Sequence, residues 1–260
     1  MYRLILASAS PRRHELLTQA GYSFTVHPAH IPEDPLPNED PIAYVVRLAR
    51  EKAEAVFREI SANPEVTSEN ENAEPVRPEW TSESCTPRGQ VSGHDFSRAD
   101  TGSFFLSSER ASAREKAGSA SFPAASEASK VLNGLIVLGA DTTVVLDNQI
   151  LGKPADAEDA KRMLRLLSGR THRVITGVAL ATETGTEAAA EVTSVRFLTL
   201  SDEEIADYVA TGEPVDKAGA YAIQGRAARW IPRVEGCYFN VVGLPLALVS
   251  TMLESMRPAS

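Results

Sequence analysis

Residues 134–151 read GLIVLGADTTVVLDNQIL. The apolar run from Leu135 to Ala140 reads as a buried strand. It continues through Val144, Val145 and Leu146 into a hairpin whose turn is Asp147 and Asn148, residue types that tolerate left-handed backbone. A hairpin is an antiparallel device, so any parallel strands elsewhere make the sheet a mixed one. Toward the N-terminus, Arg3 to Ala7 forms a short buried strand. SASPRRHELLTQAG (8–21) follows, with Ser10 as N-cap, Pro11 at the first helical position and Gly21 as the stop. From Pro41 to Ile60 the residues Ile42, Val45, Val46, Ala49, Ala53, Val56, Phe57 and Ile60 fall on one helical face. Toward the C-terminus, a helix is capped by Asp156 and closed by Gly169. Strands are predicted over Arg173–Thr182 and Thr193–Thr199, a further helix after the capping-box pair Ser201 and Glu204, and a last helix over Leu244–Met256. Strands alternating with helices give the α/β class on a mixed sheet.

The chain has 260 residues, 43% hydrophobic and 23% charged, close to globular averages. Its formal charge of -9 offers no global attraction for nucleic acid or an acidic membrane. An anionic ligand must therefore meet a local basic site. Cys85 and Cys237 are the only cysteines and have no CxxC spacing, so neither a disulfide framework nor a thiolate zinc site is indicated. The N-terminal LILA is too short for a signal-peptide core, and Asp141 and Asp147 interrupt the most apolar later stretch. The expectation is a cytoplasmic protein that does not enter the membrane. Composition breaks between Ser61 and Lys130, where 14 Ser accompany four large aliphatics, Val66, Val76, Val91 and Leu106. Ordering a residue costs roughly 1 to 2 kcal/mol of backbone entropy, which so few apolar groups cannot offset. Residues 61–130 are thus predicted to be a disordered, low-complexity insert in one domain made of 1–60 and 131–260.

Two features point to chemistry. Arg12 and Arg13 take the second and third positions of a helix whose N-terminus already carries about half a positive charge. With Ser8, Ala9 and Ser10 before them, they form an oxyanion site suited to phosphate. The alternative is two arginines lying over the surface. Second, Asp141 ends the run GLIVLGA and precedes Thr142 and Thr143. A carboxylate there must be paired, bind a metal, act as a general base or make a local turn with the threonines. Lys153 in GKP follows the hairpin and can return to the same mouth. His27 and His30 read as loop residues, with no third ligand for zinc. Neither GxxxxGK[ST] nor GxGxxG occurs.

LASASPRR, YVVRLAREKA, GADTTVVLD, ILGKP, LSGRTHRVITGVAL, DKAGAYAIQG and VVGLPL together resemble the Maf family of nucleoside triphosphate pyrophosphatases, over nearly all of the chain outside the insert. The resemblance implies a mixed-sheet, two-lobed α/β fold like that of inosine-triphosphate pyrophosphatases, with a cleft and commonly a homodimer. It implies hydrolysis of a nucleoside triphosphate to monophosphate and pyrophosphate with Mg²⁺ or Mn²⁺. The family's acidic catalytic residue matches Asp141, its phosphate-binding groups match Ser8, Arg12 and Arg13, and its cleft acid and lysines match Glu33, Lys52 and Lys153. Glu33 and Asp141 would hold the metal. Thr142, Gln224 and Arg12 match positions tied to substrate choice, and DKAGAYAIQG resembles the branch acting on dTTP and UTP. The alternatives are a branch acting on a modified nucleotide such as 7-methyl-GTP, or a nucleotide-binding regulator of septum formation. The insert is the main departure from the family.

Overall fold

The computed structural model describes residues 2–62 and 134–256. The predicted insert lies outside them, except that Ser61 and Ala62 complete a helix. The elements run β1 (Arg3–Leu6), α1 (Pro11–Gln19), β2 (Phe24–Val26), α2 (Pro41–Ala62), β3 (Leu135–Leu146), β4 (Gln149–Leu151), α3 (Ala157–Leu167), β5 (Thr171–Thr182), β6 (Gly185–Arg196), α4 (Asp202–Ala210), β7 (Arg233–Glu235), α5 (Tyr238–Val242) and α6 (Leu246–Ser255). The strands form one sheet in the order β2-β1-β3-β5-β6-β7, with β4 also paired to β3. β1 is parallel to both β2 and β3, and the remaining pairs are antiparallel. The sheet is therefore mixed, and its antiparallel part begins at the Asp147–Asn148 turn, where φ is 48° and 63°.

Both faces are covered. On one, α2 lays Ala49, Ala53, Val56 and Ile60 over Ile5, Val137 and Ala179, and Tyr44, Val45 and Leu48 over Val145 and Ile175. On the other, Leu16 and Leu17 of α1 join residues of α3, α4 and α6 over Leu4, Leu138, Val144, Val174 and Val178. Two glycines let α2 sit close to the sheet. A Cβ on Gly139 would lie 2.1 Å from the Ala49 carbonyl oxygen, and one on Gly177 would lie 2.2 Å from that of Val45. Any side chain at either position would push the helix off the sheet.

Several boundaries differ from the sequence expectations. Asp141 is not at a strand end but inside the twelve-residue β3. β5 begins at Thr171. β6 begins at Gly185 and stops at Arg196, so Phe197–Thr199 is not strand. Its first half contains Ala188, Ala189 and Ala190, residues with little strand preference, and β5 imposes the conformation by pairing along its whole length. β2, β7 and α5 carry too little pattern to be foreseen. The last helix starts at Leu246 because Gly243, at φ 129°, ends α5 first. Among the described residues no helix is long and apolar enough to cross a membrane.

Candidate active site

β3 shares one long edge between two partners. Leu135–Leu138 pairs with β1 and Val144–Leu146 pairs with β4, so Gly139–Thr143 has no strand on that side among the described residues. On the opposite edge β5 pairs with Val137–Val145, the open stretch included. Ligands of open α/β sheets collect where neighbouring connections part in this way. Because side chains alternate across a strand, Asp141 faces α2 while Thr142 faces the layer that contains α1. Groups on both faces can meet around the open edge.

On the α2 face, Lys52 is 7% and Asp141 8% exposed. Lys52 Nζ donates to Asp141 Oδ1 at 2.7 Å and forms an ion pair with Glu33 Oε1 at 2.6 Å. The turn between Asp141 and its threonines is thus not formed, and the carboxylate is instead paired with a helix lysine. Glu33 sits on the segment after β2, which is fixed by Tyr44 of α2: its hydroxyl donates to the Glu33 carbonyl at 2.8 Å. Burial, reinforced by the charges of Asp141 and Glu33, pushes the Tyr44 pKa up to about 12. Desolvation works to raise the Glu33 pKa, but the hydrogen bond and charge of Lys52, with Lys153 and Arg13, hold it below the usual value.

On the other face, Arg13 does not lie over the surface. Its Nε donates to the Gly243 carbonyl at 2.9 Å, Nη1 to Ser8 Oγ at 3.1 Å and Nη2 to Thr142 Oγ1 at 3.1 Å. One N–H on each terminal nitrogen is left uncommitted. Ser8 Oγ also accepts from Ser10 N at 3.2 Å, so its own proton is available to an anion. The Ser10 side chain makes no capping bond, which leaves early N–H groups of α1 open. Thr142 Oγ1 lies 2.9 Å from Thr176 Oγ1, and Thr176 donates to the Asn240 carbonyl at 3.2 Å. Thr142 Oγ1 also donates to the Gly243 carbonyl at 3.3 Å, so its one proton is shared between that carbonyl and Thr176. Burial lowers the Arg13 pKa and the charge of Arg12 adds to this, while Asp141 and Glu33 oppose it; a guanidinium remains a cation regardless.

Arg12, Lys153 and Gln224 are placed differently. None makes a hydrogen bond or ion pair among the described residues, and Lys153 and Gln224 are exposed. The charge of Arg12 is felt at Asp216 and Tyr208 as well as at Arg13, whereas the Arg13 guanidinium is fixed by its three bonds. Lys153 follows Gly152, whose carbonyl accepts from Gly219 N at 3.0 Å. That bond ties the lysine loop to the segment bearing Gln224. Sequence reasoning missed Tyr44, Thr176 and the Gly243 carbonyl. Thr176 was the most detectable, as a polar residue inside the apolar run VITGVAL, the same signal that singled out Asp141.

The oxygen donors that can hold a divalent cation here are Glu33 and Asp141. Each gives one oxygen to Lys52, and no other bond to either side chain is formed within the described residues. Among those residues no three His, Cys, Asp or Glu cluster as a metal site. Two hard carboxylates beside an open edge suit Mg²⁺ or Mn²⁺ whose remaining ligands are phosphate oxygens and water.

Residues 3–74 and 97–256 match the family of Maf-like proteins. The dTTP/UTP pyrophosphatase of Koribacter versatilis (strain Ellin345) is 41% identical over 251 residues, 96% of this chain and 93% of its own. That of Citrifermentans bemidjiense is 40% identical over 253 residues, covering 96% of this chain and 94% of its own. That of Geobacter metallireducens is 40% identical over 256 residues, covering 98% and 96%.

Proposed function

The chain belongs to the Maf family, and from that membership we propose that it is a nucleoside triphosphate pyrophosphatase that cleaves dTTP and UTP to the monophosphate and pyrophosphate. The observation that carries the reading is Lys52, buried between Glu33 and Asp141 on one side of an open strand edge whose other side holds Arg13 and Ser8. A triphosphate fits that edge because each face offers a cation, Lys52 on one and Arg13 on the other, while Asp141 stands beside Lys52.

In this reading Arg13, fixed by three protein bonds, aims its free N–H groups at phosphate oxygens. Ser8 donates its hydroxyl proton and the uncapped start of α1 adds backbone donors. Arg12 supplies a further cation from the outer side. Water adds across the α–β anhydride, and the proton it loses passes to Asp141, which also orients it. Lys52 and Lys153 neutralise the charge that grows on the departing pyrophosphate. Glu33 and Asp141 would hold a divalent cation, which would offset phosphate charge and make the attacking water more acidic. No side chain needs to become covalently attached. Gln224 presents an amide that can both donate to and accept from a pyrimidine edge, and Thr142 fixes Arg13 against the nucleotide.

A panel of triphosphates incubated with the purified protein and Mg²⁺ or Mn²⁺ tests the proposal. Monophosphate and pyrophosphate released fastest from dTTP and UTP are expected. Stepwise orthophosphate release, or a preference for 7-methyl-GTP, would overturn it.

A further inference from the structure

Gln224 is a free side chain on a segment that is otherwise tied down on every side. Gly219 N donates to the Gly152 carbonyl at 3.0 Å. Tyr221 is buried, with its hydroxyl 2.8 Å from His172 Nε2. Ala222 N donates to Tyr208 Oη at 3.1 Å, and Tyr208 Oη donates to Glu213 Oε1 at 2.8 Å. The Glu213 carboxylate then accepts from Arg226 N at 3.1 and 3.2 Å. Two backbone N–H groups that bracket Gln224 are thus held by one hydrogen-bonded pair of side chains from α4 and the turn after it. Between them the chain passes so close to Glu213 that a Cβ on Gly225 would lie 1.9 Å from Oε1 and 2.4 Å from the carboxyl carbon. Gly225 itself has φ −101°, which any residue adopts, so a side chain there would act by displacing the Glu213 carboxylate and not by straining the backbone.

We propose that Tyr208 and Glu213 are specificity-determining positioning residues, which set the height and direction at which Gln224 meets the pyrimidine. The proposal rests on the dTTP and UTP reading given above. An amide reads a base only if its nitrogen and oxygen arrive in register with the base edge, and a flexible segment would spend binding free energy on ordering itself. Tyr208 is suited to the task because its hydroxyl relays in one direction: it accepts from Ala222 and donates to Glu213. Its ring is held independently, edge-on to Trp230 at 5.0 Å. Removing the hydroxyl should therefore loosen the loop and leave the ring in place.

The test compares kcat/KM for dTTP and UTP with that for ATP and GTP, alongside the melting temperature. Tyr208→Phe is expected to lower the pyrimidine-to-purine ratio by roughly five- to tenfold, the worth of one lost hydrogen bond, through KM more than kcat. Glu213→Ala should do the same, and Glu213→Gln, which keeps an acceptor oxygen, should recover most of the ratio. Gly225→Ala should lower the ratio in the parent but change it little when combined with Glu213→Ala, because the atom it strikes is gone. A folded Tyr208→Phe protein with an unchanged ratio, or one that loses all four substrates in parallel, would overturn the proposal. Should Tyr208→Phe fail to fold, Gly225→Ala is read by the same criteria. A parent enzyme with no pyrimidine preference, or a Gln224→Ala variant with the parent's ratio, brings down the base-reading assignment itself and the clamp with it.

Discussion

Asp141 and Thr142 are adjacent in sequence, yet β3 turns them to opposite faces, and the two faces are equipped differently. Asp141 meets an ammonium that it shares with Glu33; Thr142 meets a guanidinium through a neutral hydroxyl that leads on to Thr176 and a backbone carbonyl. One face concentrates ionised groups that can move protons and balance charge. The other spends neutral hydrogen bonds on holding a single cation still. The contrast teaches that a strand with an unpaired stretch can divide reaction and grip between neighbouring residues, with its alternation keeping the two tasks apart.

The charged face depends most on Lys52, which bridges both of its carboxylates. Lys52→Met leaves Asp141 buried without its cation, so both activity and stability should fall, the latter on the order of 3 kcal/mol in denaturant unfolding. A variant as stable as the parent would show that the charged face is not held by this lysine. Asp141→Asn should leave the fold largely intact but reduce kcat by at least roughly a hundredfold, the low end for a positioned general base. Near-normal turnover would remove Asp141 from the reacting groups. Thr142→Val should act on grip alone, raising KM by roughly five- to tenfold with little change in kcat, since Arg13 Nη2 loses one partner. Equal loss in both parameters would mean that the two faces are not separable.

A pH-dependent effect, absent at neutral pH, concerns the neutral face. His172 is buried on it beside Tyr221 and Phe197, and desolvation lowers its pKa to about 4 from the ordinary 6.5. The native state therefore refuses a proton that the unfolded chain accepts. This contribution to stability is complete above pH 6.5 and is lost as pH falls toward 4, at up to about 1.4 kcal/mol per pH unit. Unfolding midpoints measured across that window should decline in the parent and decline less in His172→Gln. Parallel curves would place the proton elsewhere.

How much of this was legible depends on whether a residue's role is local. The start of α1, the Asp147–Asn148 hairpin and the Ser201–Glu204 capping box are written in short-range pattern and could be read directly. The division between Arg12 and Arg13 could not. The two look identical in sequence, but about 100° of helical rotation brings Arg13 to Gly243, Ser8 and Thr142 and leaves Arg12 without such bonds among the described residues. Glu213 gave no signal either, because its meaning lies in the backbone N–H of Arg226 and the missing side chain of Gly225, and pattern does not encode such packing. The mixed sheet was foreseen from one hairpin, while the alanines of β6 concealed half a strand.

The shared edge of β3 also bears on how the chain assembles. β3 with β4 and β5 with β6 pair through two-residue turns, and β3 meets β5 across residues 147–170, whereas β1 reaches β3 across the much longer stretch 7–134. Closing a long loop costs entropy before its contacts repay it, so local hairpins form first and distant pairings later. The N-terminal strand is therefore expected to dock onto a sheet that is already made, with Ser8 and Arg13 arriving with it. During refolding, sheet signal should recover before hydrolysis does. A refolding chain would carry its acid and its threonine in place while still unable to seize a nucleotide.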